Sequence, residues 1–290
     1  MKKRTLSTII VTLVIIVGLG LLLYPTVSDY VNSLAYRRAI VDFQRSVETL
    51  DPETYEDLLA SAREYNRRLA ARGGALLTLD EEQLSEYESL LDFTGTGIMG
   101  YVEIEKINVC LPIHHGTDED VLQAGIGHLE GSSLPVGGES THAVLSAHTG
   151  LPSAKLFTNI DQLVEGDIFT VHVLREQLTY EVDQILVVLP HETDALRIEE
   201  GQDYCTLLTC TPYGVNTHRL LVRGHRIPTP EEETDPAQDA LGPDDGRMFG
   251  LDTEIVMLAL AVLLAVSAAI VVIIRRRRGR TVRKRGHHEK

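Results

Sequence analysis

The sequence predicts a mostly β domain of barrel or sandwich type, with a helical region before it and a membrane-spanning segment at each end. Between residues 100 and 227, six runs rich in β-branched and aromatic side chains are separated by glycine, proline, aspartate and asparagine. Helical patterns do not alternate regularly with these runs, so a doubly wound parallel sheet is not expected. Two apolar stretches of roughly 20 residues flank this part of the chain, and each is long enough to cross a bilayer as a helix.

The first apolar stretch, residues 6–24, follows three basic residues at positions 2–4, and Pro25 ends it. Its apolar core is longer than that of a usual signal peptide, and no Ala-x-Ala cleavage site follows it. We therefore predict an uncleaved N-terminal membrane anchor over residues 1–25, with a cleaved signal peptide as the alternative.

Residues 26–98 have the pattern of a helical region. Asp51 is a good N-cap, Pro52 suits the first helical position, and Gly73 provides a stop, which together predict one helix. Apolar residues recur at helical spacing between these signals, so this helix has one face that must pack on another element.

Two further helices are expected in the same region. The earlier one covers about residues 28–48. The later one is expected to start at Thr78, with Glu81 completing a capping box. The pattern leaves open whether these helices form a scaffold, a partner surface or a stalk.

The β-favouring runs define a predicted domain over residues 99–228. In chain order they are YVEIEKINVCLPI, HAVLSAH, DIFTVHVL, LTYEVDQILVVLP, YCTLLTC and HRLLVRGHRI. A short helix is expected near residues 119–126. Because helices do not alternate regularly with these runs, a mostly antiparallel barrel or sandwich is favoured.

The end of the chain predicts a linker, a second membrane span and a basic tail. Residues 229–252 are rich in proline and acidic residues and have few large apolar ones, as is typical of a solvated linker. A transmembrane helix is predicted at 253–275, followed by a basic tail at 276–290. Because lysine and arginine mark the cytoplasmic side, both termini are expected in the cytoplasm and the β domain outside.

The charge balance excludes one class of partner. The chain has 27 basic and 42 acidic residues, a net charge of −15, and many of the basic residues lie beside the two spans. Nucleic acid is therefore not an expected partner, whereas the basic tail has the charge to contact anionic lipid. No zinc-type ligand spacing or phosphate-binding loop is present, so neither a metal site nor a cofactor is predicted.

The three cysteines, Cys110, Cys205 and Cys210, are too few for a disulfide framework, and their odd number leaves at least one thiol free. Cys205 and Cys210 are too far apart along one extended strand to form a bridge. A bridge between Cys110 and Cys205 stays open.

Cys210, Arg219 and His148 are the candidate catalytic residues. Cys210 ends an apolar run where Thr-Pro begins a turn, and Arg219 opens the next run after eight residues, so a hairpin would bring the two together. A cysteine nucleophile requires an available thiolate, a proton donor for the leaving group and a group that stabilises oxyanion charge. His148 ends another run at a similar position. The alternatives are a buried inert thiol, a surface arginine and a structural or solvated histidine.

Two segments and a longer stretch resemble a known family. TLLTCTPYGVNTHRLLVRG resembles the active-site segment of sortases, with the Thr-Leu-x-Thr-Cys signature at 206–210, and SAHTG at 146–150 resembles the segment that bears the sortase histidine. The stretch that begins MGYVEIEKINV and ends SAKLFTNID closely resembles class C, the pilin-polymerising sortases of Gram-positive bacteria.

The resemblance implies a sortase-type eight-stranded β-barrel with short helices, in which Cys210 is the nucleophile, His148 the acid/base and Arg219 the charge stabiliser. The implied reaction cleaves a Leu-Pro-x-Thr-Gly-type sorting signal between Thr and Gly through a thioacyl-enzyme, and then joins the Thr to a lysine amine of another pilin subunit. The implied partners are pilin or surface proteins with a C-terminal sorting signal, the acceptor lysine of a pilin subunit, and the membrane. The alternatives are anchoring of surface proteins to a peptidoglycan-precursor amine, hydrolysis by a cysteine protease, and a non-enzymatic membrane scaffold for pilins.

The resemblance also implies a lid. Class C enzymes often carry a lid across the cleft, built on Asp-Pro-aromatic, and the segment LLDFTGTGIMG has Asp92 followed directly by Phe93. Asp92 and Phe93 are therefore the lid candidates. The missing proline lowers the rigidity expected there, and a plain connector between helix and barrel is the alternative.

Overall fold

The computed structural model describes residues 2–73, 78–229, 247–248 and 251–252. The predicted transmembrane helix at 253–275 and the predicted basic tail at 276–290 lie outside the described residues, as does most of the predicted linker.

The chain divides into two compact units. The first comprises Met1–Tyr30 and Leu241–Lys290, and the second comprises Val31–Ala240. In the first unit the described residues form the beginning of the N-terminal helix and an antiparallel pair of two-residue strands, Arg247–Met248 and Leu251–Asp252. The second unit holds the end of that helix, the other helices of the described residues and a closed β-barrel.

The first helix, α1, runs from Lys2 to Glu48 without interruption. The expected separate helix at about residues 28–48 is thus the continuation of the N-terminal one, and Pro25 lies inside α1 instead of ending it. A proline removes one backbone hydrogen bond of a helix. Where the bonds on both sides of it continue, the helix bends at the proline and does not end there. Within the described residues, one helical segment is long and apolar enough to cross a membrane. It is the Leu13–Glu48 part of α1, with a mean hydropathy of 1.7 in its most apolar window.

The next two helices each begin after an aspartate N-cap. Helix α2 spans Pro52–Ala71, and the side chain of Asp51 accepts a hydrogen bond from the Thr54 backbone N–H at 3.0 Å, which confirms the predicted N-cap. Helix α3 spans Glu81–Ser89, and its capping box is formed by Asp80 and Gln83.

The prediction that α3 starts at Thr78 with Glu81 in the capping box was therefore wrong. The Asp80 carboxylate accepts from the Gln83 N–H at 2.9 Å, and the Gln83 side chain accepts from the Asp80 N–H at 3.2 Å. Aspartate is among the strongest N-cap residues, so Asp80, two residues after Thr78, caps the helix, which begins at Glu81.

Eight strands form the predicted closed barrel. They are β1 Ile98–Ile104, β2 Val109–His115, β3 Ile126–His128, β4 Thr141–Ser146, β5 Ile168–Val173, β6 Glu176–Val188, β7 Asp203–Thr211 and β8 His218–Arg226. Around the barrel the order is β1-β2-β3-β4-β7-β8-β6-β5, and β5 closes onto β1. Only β2–β3 and β4–β7 are parallel, so the mostly antiparallel arrangement is confirmed. The predicted helix near 119–126 is α4, Glu119–Ala124, and three 3-10 turns are Glu105–Ile107, Ile160–Gln162 and Asp194–Leu196.

Alternating side chains fill the barrel, because successive residues of a strand point to opposite faces. The apolar core contains Val102 and Ile104 of β1, Leu145 of β4, Leu207 of β7 and Val222 of β8. The opposite face of β4, β7 and β8 packs against the 3-10 turn that contains Leu196.

Helix α2 is attached to the barrel through the side chain of Asn66. Its Nδ2 donates to the Leu134 carbonyl at 2.9 Å, and its Oδ1 accepts from the Leu134 N–H at 2.7 Å. Asn66 is buried, and the Leu134 N–H depends on this side chain for its hydrogen bond, whereas the Leu134 carbonyl also accepts from the Val136 N–H at 2.8 Å.

Helix α3 is attached through Tyr87, which meets a buried histidine. The Tyr87 hydroxyl lies 2.9 Å from Nδ1 of His128, and Nε2 of His128 donates to the Ser133 carbonyl at 2.7 Å. Burial lowers the pKa of His128 to about 4, so the ring is held neutral and accepts at Nδ1. Together these contacts fasten the helical region to the β3–β4 side of the barrel.

Candidate active site

The nucleophile candidate Cys210 lies at the rim of the barrel, one residue before the end of β7. Cys205 and Leu207 of the same strand are fully buried and belong to the barrel core. Because side chains alternate along a strand, Cys210 lies on the other face with Leu208, and its thiol is only partly buried. All three cysteines are free thiols, so the bridge between Cys110 and Cys205 that the sequence left open is not formed.

The two other cysteines differ from Cys210 in their surroundings. Burial raises the pKa of the Cys110 thiol to about 12, and it raises the pKa of the fully buried Cys205 thiol far above its ordinary value. A thiol becomes a nucleophile as its thiolate, and desolvation disfavours that form. Cys110 and Cys205 are therefore packing residues.

His148 follows β4 and does not end it as the sequence predicted, because β4 stops at Ser146. The pairing with β7 nevertheless continues past the strand, since the Ala147 N–H donates to the Leu208 carbonyl at 3.1 Å. The Thr209 hydroxyl also donates to the Ala147 carbonyl, at 2.7 Å. In the parallel register of β4 and β7, Ser146 is opposite Leu208, so two residues further on His148 comes level with Cys210.

Arg219 is the register partner of Cys210 on the antiparallel strand β8. Since β7 ends at Thr211 and β8 begins at His218, the connecting loop is 212–217, two residues shorter than predicted. The strand pairing extends that far because Thr211 and His218 still form a register pair.

The three candidates therefore lie on adjacent elements, with the cysteine between the histidine and the arginine. The Arg219 guanidinium donates from Nη1 to the carbonyl of His218 at 3.1 Å and to that of Asn216 at 3.4 Å. Within the described part of the chain, no hydrogen bond or ion pair joins His148, Cys210 and Arg219 to one another directly. The arrangement provides a thiol, an acid/base and a cation at one edge of the barrel.

Sequence reasoning missed Glu119, which begins α4. Its Oε1 lies 3.7 Å from Nε2 of His148. Nothing in the sequence distinguishes this carboxylate from the other acidic residues, because its proximity to His148 depends on how α4 is placed between β2 and β3.

The loop after His148 contacts the loop after Cys210 through Gly150 and Tyr213. Gly150 has a φ of +72°, and a Cβ at that position would lie 3.1 Å from Cε2 of Tyr213. The Gly150 N–H donates to the Thr158 hydroxyl at 3.2 Å. The ring of Tyr213 thus packs on a backbone surface that only glycine offers in this conformation.

The lid candidates lie in the loop between α3 and β1. Asp92 accepts a hydrogen bond from the Gly97 N–H at 3.0 Å, and the ring of Phe93 packs against Phe43 of α1 with centroids 5.5 Å apart. The hydrogen bonds of Asp92 in the described part of the chain do not involve Cys210 or Arg219. Among the described residues, no three histidine, cysteine, aspartate or glutamate side chains are grouped as metal ligands.

Comparisons with known proteins identify the family of the domain. The family profile described as Sortase domain matches residues 102–227. The crystal structure of sortase C1 from Streptococcus agalactiae is 52% identical, covers 66% of this chain and 99% of that chain, and superposes with a TM-score of 0.64. The structure of Clostridium perfringens sortase C with the C-terminal cell wall sorting motif is 46% identical, covers 66% and 99% of the two chains, and has a TM-score of 0.58.

A curated relative is more distant. Sortase D of Bacillus subtilis strain 168 is 31% identical over 131 residues, which is 44% of this chain and 63% of that protein. The chain thus spans less than two thirds of this relative, whereas it covers nearly all of the two class C structures. With a matching domain, an eight-stranded barrel and close class C neighbours, the chain belongs to the sortase family of cysteine transpeptidases and groups with its class C members.

Proposed function

We propose that the chain is a pilin-polymerising transpeptidase that uses Cys210 as nucleophile, His148 as acid/base and Arg219 as charge stabiliser. The observation that carries the proposal is the placement of Cys210 between the other two on adjacent elements of the barrel. The grouping with class C sortases supports transfer to a pilin amine over transfer to another acceptor.

The first half of the proposed reaction forms a thioacyl-enzyme. The Cys210 thiolate attacks the carbonyl carbon of the Thr–Gly peptide bond, and negative charge develops on the carbonyl oxygen. Arg219 stabilises that charge, because a guanidinium stays protonated at any working pH. When the C–N bond breaks, the His148 imidazolium gives its proton to the departing glycine amine.

The second half transfers the acyl group. A neutral lysine amine of another pilin subunit attacks the thioester carbonyl, and the neutral His148 takes up the proton that the amine loses. The C–S bond breaks, the new amide bond forms, and the Cys210 thiolate and His148 imidazolium are restored. Water would compete as the nucleophile, so the rim position of Cys210 has to be covered by substrate during this step.

The proposed substrate is a Leu-Pro-x-Thr-Gly-type sorting signal on a membrane-tethered protein. The solved C. perfringens sortase C holds a C-terminal cell wall sorting motif, which supports this class of substrate. We further propose a two-pass topology with both termini cytoplasmic, for which α1 supplies one apolar helix of sufficient length. Confining enzyme and substrate to one membrane raises their effective concentration.

Intact-mass spectrometry tests the proposal. The full-length chain in detergent micelles is incubated with a Leu-Pro-x-Thr-Gly peptide, with and without a lysine-bearing pilin domain. An acyl adduct on wild type that is absent in Cys210→Ala and passes to the lysine is the expected result. An adduct resolved only by a peptidoglycan-type amine would indicate wall anchoring, and one resolved only by water would indicate a protease.

A further inference from the structure

His148 has a carboxylate neighbour that is not one of the three proposed catalytic groups. Nε2 of the imidazole is buried and makes no hydrogen bond within the described residues. The nearest acidic oxygen is Oε1 of Glu119, at 3.7 Å. In the described part of the chain, Glu119 is the one acidic residue that has an oxygen within 4.0 Å of a nitrogen of this ring.

The Glu119 carboxylate is itself held in place. Gln123, one helical turn further along α4, donates from Nε2 to the same Oε1 at 3.0 Å. The hydroxyl of Tyr36 in α1 reaches the Gln123 carbonyl at 3.4 Å. Helix α4 leads into β3, whose Gly127 pairs with Ser146 at the end of β4, two residues before His148. The carboxylate therefore approaches the histidine from the β2–β3 connection, on a route independent of β7 and β8.

We propose that Glu119 is a positioning residue that favours the imidazolium form of His148, with Gln123 orienting its carboxylate. This inference rests on the proposed function, in which the imidazolium protonates the departing amine. An opposite charge within about 4–6 Å favours the charged form of a titratable group. The side chain of Glu119 is 69% exposed, so its effect is that of a partly screened surface pair and not of a buried one.

Other ionisable groups on the elements beside His148 also favour or oppose its imidazolium form. Cys210 on β7, as a thiolate, favours the imidazolium as Glu119 does. Two cations oppose the imidazolium. One is Arg219 on β8, and the other is Lys155, which lies two residues before Phe157, whose N–H donates to the His148 carbonyl. Because these charges act together, the contribution of Glu119 has to be measured as a difference between variants.

The test measures histidine protonation without substrate. The full-length chain in detergent micelles, labelled with ¹³C at histidine Cε1, is titrated by NMR, and His148→Ala identifies the His148 signal. We expect Glu119→Gln to move the midpoint to lower pH, with a roughly threefold lower imidazolium-to-imidazole ratio at a fixed pH, as for loss of a partly screened surface pair. Glu119→Asp keeps the charge, so its midpoint should lie between those of wild type and Glu119→Gln. Gln123→Ala leaves the carboxylate less well oriented, so its midpoint should also be intermediate.

A matched control lies next to Glu119 on the same helix. Asp120 is also exposed, and Asp120→Asn should leave the midpoint unchanged. Equal midpoints for wild type and Glu119→Gln would overturn the proposal. An equally large shift in Asp120→Asn would also overturn it, because the effect would then be one of general surface charge.

The role in the reaction is tested separately by the pH profile of kcat/KM for peptide cleavage. In Glu119→Gln the alkaline limb should move to lower pH by the same amount as the midpoint. An unmoved limb with a shifted midpoint would show that the pair is irrelevant to the reaction. A wild-type chain that forms no acyl-enzyme would refute the proposed function, while the NMR titration would still decide whether Glu119 and His148 interact.

Discussion

Cys210 and Arg219 are direct register partners on the antiparallel strands β7 and β8. Directly opposite residues of such a pair project from the same face, with Cβ atoms about 4.5–5.5 Å apart. The guanidinium also donates to the Asn216 and His218 carbonyls, so it is held at the mouth of the loop that follows the cysteine. The strand pairing thus places a permanent cation beside the position where a thiolate or an oxyanion would carry negative charge.

Replacement of Arg219 is expected to slow acylation more than its charge alone would indicate. We expect Arg219→Ala to lower the rate of acyl-enzyme formation by about 100-fold, as is typical for loss of one oxyanion-stabilising group. Arg219→Lys keeps the charge but lacks the planar fork of donors, so it should recover only a small part of the rate. The rate is followed by mass spectrometry of the peptide adduct on Cys210.

Arg197 provides the matched control for Arg219. It is exposed and pairs with Asp194 three residues earlier. Arg197→Ala should acylate at the wild-type rate. Wild-type acylation by Arg219→Ala would remove the arginine from the proposed mechanism.

The packing of Tyr213 on Gly150 predicts that an added methyl group disturbs the site. An alanine at position 150 would hold a left-handed backbone, with its Cβ 3.1 Å from the tyrosine ring. We expect Gly150→Ala to cost about 1–2 kcal/mol of unfolding free energy from backbone strain. Acylation should also slow severalfold, because the ring must move and the loops after His148 and Cys210 shift against each other.

Gly166→Ala separates these two effects. Gly166 also has a positive φ, of +91°, but nothing lies within 4 Å of the Cβ position. It should lose a similar amount of unfolding free energy and keep the wild-type acylation rate per folded molecule. Equal acylation by both alanine variants would show that the Tyr213 contact does not matter for the reaction.

Asp92 and Phe93 remain lid candidates, and their contacts indicate how such a lid would be held. Phe93 packs on Phe43 of α1, and the Asp92 carboxylate closes a turn onto the Gly97 N–H. If the segment limits access to the thiol, Asp92→Ala with Phe93→Ala should speed alkylation of Cys210 by iodoacetamide. An unchanged rate would reduce the segment to a connector.

Two threonines of the same loop supply the control for the lid experiment. The Thr94 and Thr96 hydroxyls bond to each other at 2.6 Å and are exposed. Thr94→Ala with Thr96→Ala should alkylate at the wild-type rate. A rise equal to that of the Asp92 and Phe93 variant would indicate general loosening of the loop.

Local signals in the sequence predicted the parts of the fold that depend on neighbouring residues. Asp51 before Pro52 predicted the start of α2, and the Thr-Pro turn after Cys210 predicted that this cysteine lies near the end of a strand. The same local reasoning misplaced the start of α3, because two adjacent capping patterns, at Thr78 and Asp80, compete and only Asp80 forms the box.

Contacts between distant segments could not be derived in the same way. Glu119 and His148 are 29 positions apart, and their approach depends on the parallel pairing of β2 with β3 and the antiparallel pairing of β3 with β4. Short strands such as β3, with three residues, carry too little periodicity to reveal their partners. The ends of the β-favouring runs already made His148 and Arg219 candidates, and the resemblance to sortases implied their roles, but neither gave a reason to single out Glu119.

The attachment of α2 to the barrel predicts a large effect for one small side chain. Asn66→Ala would leave the buried Leu134 N–H without a partner, at about 1–3 kcal/mol, while the Leu134 carbonyl would keep its bond from the Val136 N–H. We therefore expect a clear fall in the temperature of thermal unfolding, measured by circular dichroism. Arg67→Ala, at the next and exposed position, should stay near wild type. Equal unfolding temperatures for Asn66→Ala and wild type would show that water replaces the lost side chain.

Two buried histidines predict that the folded state is weakened by acid. Burial lowers the pKa of His128 and of His142 to about 4, below the ordinary value of 6.5, so the unfolded chain binds protons first as the pH falls. Stability should therefore be complete above pH 6.5 and decline towards pH 4, with a slope of up to about 1.4 kcal/mol per pH unit for each histidine. Denaturant unfolding of the full-length chain in micelles at several pH values measures this slope. His142→Gln removes one of the two sites, so the slope should fall by the amount that corresponds to about one proton taken up on unfolding. An unchanged slope would show that His142 does not contribute.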